Sequence, residues 1–399
     1  MRGFIVQEVI MLKLAAIFES SPFDRKGLFN AAHERIRHLV GTGRCVVDAY
    51  CIHSWDTAFT RKVRHTPEVP RKDEVIMDGI TYRILWYDFS ILDHVTVEFL
   101  HRRPLLFSRF TKRCMPLFKG YDAILAHSFA GGLFAMEASD TYGIPYFMTW
   151  HGSDIHTHPW KNSLVMEYTR KVMKGARYNF FVSEALLESS HKICDDVPKT
   201  VLYNGVSEDF IRYDDGIRNE LRAKYSLDPG TKVVAFAGSL VSVKNPDMLQ
   251  PLFHEIRRQY EGPLKYWVIG DGKVRHQVEP GLMSDPTIDV VMWGNMPSDQ
   301  MPQMMNCIDV LVLPSRNEGL PLVCAEAIRC GAYAVGADVG GVAEVVGKDN
   351  AIPHGDGFIV SMASKVVSVL NDGGEQKVPD HLDWRTTAEK EISVILSSC

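Results

Sequence analysis

No apolar run in this 399-residue sequence is long enough to span a bilayer, which takes about 20 consecutive apolar residues. The N-terminus shows no charged segment, apolar stretch and small-residue cleavage site in succession, so no signal peptide is expected. Cysteine is sparse. The eight present are scattered with no Cys-x-x-Cys or metal-type spacing and read as reduced, buried thiols of a cytoplasmic protein. No cluster of Asp, Cys or His stands at ligand spacing either, so no metal is expected. The first strand of neither half is followed by Gly-x-Gly-x-x-Gly, which argues against an oxidoreductase. Low-complexity tracts and short repeats are missing. Positive charge falls short of negative, 44 Lys and Arg against 49 Asp and Glu. A net charge of −5 is the wrong sign for a general nucleic-acid binder.

What is present describes an ordinary globular chain, 46% hydrophobic and 23% charged, of a length that favours two domains. The charge is uneven. Residues 1–200 carry 26 Lys and Arg against 22 Asp and Glu, net +4, and the remainder 18 against 27, net −9. After an extension over residues 1–11, in which Met11 is an alternative start, strands are expected at Leu12–Phe18, Cys45–Ile52, Thr81–Trp86, Ala123–Ala126, Tyr146–Trp150 and Asn179–Val182. Helical spacing of Leu28, Ala31, Ala32, Ile36 and Leu39 predicts a helix over residues 28–40. A second series is expected at Lys232–Ala237, Lys265–Ile269, Asp289–Trp293, Ile308–Leu313 and Ala332–Gly336. Strands alternating with helices give an α/β class with two doubly wound parallel sheets. The expected division is 1–200, 201–383, and a last helix over 384–399 that packs back on the first domain, with the junction near Asn204–Gly205.

The stretch Ser315-Arg-Asn-Glu-Gly-Leu-Pro-Leu-Val-Cys-Ala-Glu326 concentrates the chemistry. The almost continuously apolar run before it suits a strand buried on both faces. Pro321 suits the first turn of a helix and Gly331 the position just past its end. Glu318 then falls in a loop at the carboxyl end of a strand, where open α/β sheets bind ligands, and Glu326 lies inside the helix. Between them, the N–H groups of residues 319–323 form a positive terminus suited to phosphate. Two hydroxyl acceptors around an anion site fit a sugar nucleotide. The alternative is a solvated loop carboxylate plus a glutamate placed for the helix dipole.

Several elements in order resemble the retaining glycosyltransferases of family 4. They are Tyr203-Asn-Gly-Val206, Phe236-Ala-Gly-Ser-Leu240 with Lys244-Asn245, Ile269-Gly-Asp-Gly272, Trp293-Gly294, the Glu318–Glu326 stretch, and Val339-Gly-Gly-Val-Ala-Glu344. The first half matches more loosely, through Lys26-Gly27, His127-Ser128 and Trp150-His-Gly-Ser-Asp154. The resemblance implies the GT-B fold, two Rossmann-like domains whose parallel sheets face each other across a cleft, with the acceptor bound by the first and the nucleotide sugar by the second. It implies that Glu318 holds a hydroxyl of the transferred sugar, with backbone N–H groups of Gly319 and Leu320 beside it. Leu322 and Val323 would bring N–H groups to the diphosphate, and Glu326 would accept from the ribose. Lys244, at the family spacing from Gly238, would neutralise the leaving diphosphate. Many members carry Arg after that glycine. Here Ser239 stands instead, uncharged, so either another cation, Lys26 or Arg316, substitutes or the diphosphate is stabilised less. Gly27 would let backbone approach the donor phosphate, His151 would lie beside the sugar, Asp154 would orient groups there or cap a helix, and Asn295 with Met296 would meet the base.

The resemblance thus implies a retaining transferase moving a sugar from a nucleotide diphosphate, UDP or GDP, to a glycan or lipid-linked glycan acceptor in surface polysaccharide biosynthesis. No residue stands out as a nucleophile, which fits front-face attack. The catalytic set is Glu318, Lys244 and His151. Arg102, Arg103, Arg109, Lys112, Arg113 and Lys119, interleaved with Leu105, Leu106, Phe107, Phe110 and Phe118, are either a contact for an anionic membrane at the inner face or the solvated side of a core helix. A sugar-nucleotide 2-epimerase and a catalytically weak partner subunit are the rival readings, the latter because of Ser239.

Overall fold

Short apolar runs form strands wherever helices cover both faces of a sheet. The computed structural model describes residues 11–20, 22–23, 27–56, 59, 61–62, 71–98, 100 and 105–399. The chain divides into two compact units, Met1–Asn204 with Trp384–Cys399, and Gly205–Asp383.

The first unit holds β1 (Leu12–Phe18), β2 (Cys45–Asp56), β3 (Glu74–Met77), β4 (Ile80–Phe89), β5 (Ala123–His127), β6 (Tyr146–Trp150), β7 (Tyr178–Phe181) and β8 (Lys199–Val201). Their order is β3-β4-β2-β1-β5-β6-β7-β8, parallel except for the antiparallel β3–β4 pair. That pair turns through Asp78 (φ 49) and Gly79 (φ 76), the two-residue connection with both central residues left-handed that matches strand twist. The helix Gly27–Gly41 buries Phe29, Ala32, Ile36 and Leu39 against this sheet. The helix Trp384–Ser398 adds Ala388, Ile392 and Ile395 to the same core, with Trp384 stacked on His38 at 5.9 Å between ring centroids.

The second unit holds β9 (Lys232–Ala237), β10 (Leu264–Ile269), β11 (Val290–Gly294), β12 (Val310–Leu313), β13 (Tyr333–Ala337) and β14 (Ala351–Ile352), in the order β11-β10-β9-β12-β13-β14 and parallel throughout. Strands are added to one side of the first strand of each sheet and then to the other, with the switch between β1 and β5 in the first unit and between β9 and β12 in the second. Sheets of this kind bind ligands outside the carboxyl ends of strands at those points.

The expected strands form within one or two residues at most ends, and β2 and β4 run longer. The edge strands β3, β8 and β14 are absent from the expectation. Cys399, expected buried, is exposed because it follows the end of the last helix, while the other seven cysteines are buried and all eight are free. Among the described residues, no helix is long and apolar enough to cross a membrane.

Candidate functional site

In the second unit, the loops after β9 and β12 meet at the switch point. Gly238 N–H donates to Ile269 O and Leu240 N–H to Asp271 O, tying the first loop to the end of β10. Arg316 N–H donates to Val243 O (2.8 Å), and Asn245 Nδ2 to Pro314 O (3.1 Å). Asn245 sits at φ 54, a conformation asparagine tolerates better than most residues, and it turns the chain immediately after Lys244. Lys244 Nζ thereby reaches both carboxylate oxygens of Glu318, at 2.7 and 2.8 Å. Ser315 Oγ donates to Glu318 Oε1 at 2.6 Å. The glutamate side chain is 7% exposed and the lysine 26%, so the pair lies at the floor of the loops with the ammonium toward solvent. Arg316, half-exposed, spends its guanidinium on Ser242 O (3.0 Å) and lies 3.5 Å from Asp247. Lys26 is outside the described residues.

Gly340, at φ +51, backs this floor: a Cβ there would stand 1.8 Å from Glu318 O. Only a residue without a side chain permits that approach. Gly340→Ala is expected to displace the Glu318 backbone, costing about 1–3 kcal/mol, and to lower turnover. Gly41→Ala, where a Cβ meets nothing within 4 Å, is the control that should melt like the parent.

Glu326 lies on the helix Leu322–Arg329, directly preceded by Pro321. Its carboxyl is partly buried, and among the described residues no donor bonds it. Burial pushes its pKa up to about 7. Leu322 N–H does not stand free as expected: a tight turn gives it to Leu320 O at 3.0 Å. The amides of Gly319, Leu320 and Val323 have no partner among the described residues. Ser239 and Asn295 are exposed, Met296 is half-buried, and Gly238 closes β9.

In the first unit, His151 follows β6 and meets His127, the last residue of β5, at 3.1 Å between Nε2 and Nδ1. Burial, with the nearby Arg35 guanidinium, holds His151 down to about 3 and keeps His127 well below its ordinary value. Both are neutral hydrogen-bonding groups at neutral pH. Asp154 accepts the N–H groups of His151 (3.1 Å to each oxygen) and Gly152 (2.8 Å), so it fixes the turn that presents the histidine. Burial nevertheless raises its pKa to about 6. Gly27 opens its helix, and a Cβ there would meet nothing within 4 Å, so packing does not require glycine at this position. The motifs assigned no role to Ser315, His127 or Arg35. A serine just past a strand end is the signal for Ser315, but it is a common one.

Of the basic segment, Arg102 and Arg103 lie outside the described residues, while Arg109, Lys112, Arg113 and Lys119 are exposed. Phe110 and Phe118 are buried, and Phe107 packs on Tyr87 and Phe134. The aromatic residues therefore face the core and the cations face water.

Two α/β units, each a parallel sheet with loops at a switch point, and in the second a buried acid–lysine pair there, define a protein of GT-B architecture. The family described as Glycosyl transferases group 1 matches residues 217–377, and Glycosyltransferase Family 4 matches residues 63–210. The glycosyltransferase TuaC of Bacillus subtilis, assigned to teichuronic acid biosynthesis, is 24% identical over 345 residues, covering 85% of this chain and 83% of its own. A D-inositol 3-phosphate glycosyltransferase of Segniliparus rotundus is 32% identical over 132 residues, 32% of this chain and 29% of its own. In structure the chain is similar to Anabaena HepE crystallised with UDP and glucose, with a TM-score of 0.70 at 16% identity, over 97% of this chain and all of the other. The chain belongs to glycosyltransferase family 4 and is an enzyme of the transferase class.

Proposed function

We propose that this glycosyltransferase moves a sugar, with retention at the anomeric carbon, from a nucleotide diphosphate sugar to a hydroxyl of a glycan or lipid-linked glycan in surface polysaccharide biosynthesis. The observation that carries the reading is Lys244 on Glu318 at the β9/β12 switch point, with amides and Glu326 on the stretch that follows that have no partner among the described residues. A cation and amides suit a diphosphate, and carboxylates suit sugar and ribose hydroxyls. HepE's complex with UDP and glucose, and TuaC's assignment to teichuronic acid biosynthesis, point the same way. No metal is part of the proposal. The residues position the donor and stabilise the leaving charge, while the departing phosphate takes the acceptor proton. In the first unit, His151 would serve as a neutral hydrogen-bonding group.

Thermal stabilisation and slow hydrolysis of UDP-, GDP- and ADP-sugars test this, with Glu318→Ala and Lys244→Ala as controls. No stabilisation by any of them sinks the donor reading, and stabilisation surviving both substitutions shows the site is elsewhere. The anomeric configuration of the product, read by NMR, tests retention.

Glu326 adds a pH signature. Its folded pKa near 7 exceeds the ordinary 4.5, so the folded protein holds this proton more tightly than the unfolded chain. The group's contribution to stability is fully present below pH 4.5 and falls by roughly 3 kcal/mol as pH rises through 7. Ribose hydroxyls donating to Glu326 favour its ionised form. Donor binding at pH 6 should therefore release a proton, seen by calorimetry in buffers of different ionisation enthalpy, and Glu326→Gln should abolish the release.

A peripheral membrane contact, on the cytoplasmic side, belongs to the same proposal. It would be electrostatic, through Arg109, Lys112 and Arg113, at about 1 kcal/mol per charge. Co-sedimentation should occur with vesicles containing phosphatidylglycerol and not with phosphatidylcholine alone. Glu at those three positions should remove it.

A further inference from the structure

We infer that Glu318 is a sugar-dependent latch on Lys244, which makes the site discriminate a nucleotide sugar from the bare nucleoside diphosphate. This rests on the donor reading above. The Lys244 ammonium is committed to both oxygens of Glu318, at 2.7 and 2.8 Å. Ser315 Oγ holds Oε1 at 2.6 Å, and the carboxylate is 7% exposed. The backbone that carries the glutamate is held in place, its carbonyl against Gly340 and Arg316, two residues before it, bonded to Val243 and Ser242.

A diphosphate that draws Lys244 away leaves a buried carboxylate with a single hydroxyl donor. Such a half-satisfied anion is costly, and a buried polar group left unpaired costs more than a made bond returns. A sugar hydroxyl laid on Glu318 restores the missing bond. A bare nucleoside diphosphate carries no such group. The cost of unlocking Lys244 therefore falls on the product and is offset in the substrate. After transfer the lysine returns to the acid, which loosens the product.

Calorimetric titration of UDP against UDP-glucose, GDP against GDP-glucose and ADP against ADP-glucose tests the latch in four proteins: wild type, Glu318→Gln, Lys244→Met and the double variant. Glu318→Gln is neutral and frees Lys244, so the nucleoside diphosphate should bind roughly tenfold tighter while the sugar nucleotide does not. Adding Lys244→Met should remove that gain. Ser315→Ala deprives the carboxylate of its other donor and should shift the preference the opposite way, toward the sugar nucleotide, an arm that stands even if Glu318→Gln folds poorly. Wild type that binds nucleotide sugars, with Glu318→Gln holding the diphosphate no tighter, overturns the latch and leaves the donor site standing. Wild type that binds none of the six ligands overturns both.

Discussion

Glu391→Leu is expected to destabilise the first unit by about 3–5 kcal/mol, lowering its melting temperature by roughly 10 °C. Glu391 on the last helix and Arg35 on the helix Gly27–Gly41 form an ion pair at 3.6 Å, with each side chain 1% exposed. Arg35 also donates to Thr149 Oγ1 (2.9 Å) and Leu202 O (3.0 Å), so one guanidinium joins β6, the chain just past β8 and the terminal helix. The pair is imperfect: Arg35 Nε and Glu391 Oε2 are both buried without a hydrogen-bond partner. Deleting one partner strands the other, and the two cases differ. Arginine keeps its proton, so Glu391→Leu leaves a fixed buried cation at every pH. Burial already pushes the Glu391 carboxyl up from its ordinary value, and without Arg35 it would rise further. The stranded acid in Arg35→Met thus escapes by protonation, and that variant should lose less stability at pH 5 than at pH 8. Arg35→Met with Glu391→Leu should recover most of the loss, because apolar groups of similar volume replace a buried pair at little cost. Denaturant melts at both pH values check all three. Equal losses for the two single variants at every pH would show that packing, and not charge, holds this helix.

The sheets were legible because their central strands are covered on both faces and must be apolar, as Val310–Leu313 and residues 233–237 are. Edge strands lack that signature. β3 alternates exposed and half-buried residues, and β8 and β14 are two or three residues long. The hairpin β3–β4 carries a strong turn signal in Asp78-Gly79, but the strand before it has only four residues. The family 4 resemblance supplied Lys244 and Glu318, but nothing in the spacing tells that residues 74 positions apart share a bond. Ser315 escaped notice because its importance comes from the loop folding back over its own start. The roles of His127 and Arg35 were hidden for a related reason: their neighbours His151 and Glu391 come from other elements. The basic segment over residues 101–119 shows the opposite limit. Its interleaving of cations and aromatics is the same in a membrane-facing helix and in a core helix with a wet face, and only packing shows that Phe110 and Phe118 point inward.

Lys244→Ala is expected to lower kcat by about 100- to 1000-fold while changing the donor KM far less. Charge builds on the diphosphate as the bond to the sugar breaks, and a cation that meets that charge stabilises the transition state more than the bound substrate. The ground-state contribution is muted further by the starting arrangement, since Lys244 must leave Glu318 before it reaches phosphate. Ser239, uncharged and exposed, adds no cation at the position where many members of the family carry arginine. On the proposed donor site, more of the leaving-group charge would therefore fall to Lys244 here. Lys244→Arg should restore part of kcat and not all of it: the guanidinium keeps the charge, but its planar fork is longer than the ammonium that fits between both Glu318 oxygens. Steady-state kinetics on the donor that passes the binding screen, with single-turnover rates to separate chemistry from release, give the split. A kcat within tenfold of wild type in Lys244→Ala would move the leaving-group role to another cation. Ser239→Arg provides the complementary arm, raising kcat if the phosphate lies where the Lys244–Glu318 pair places it.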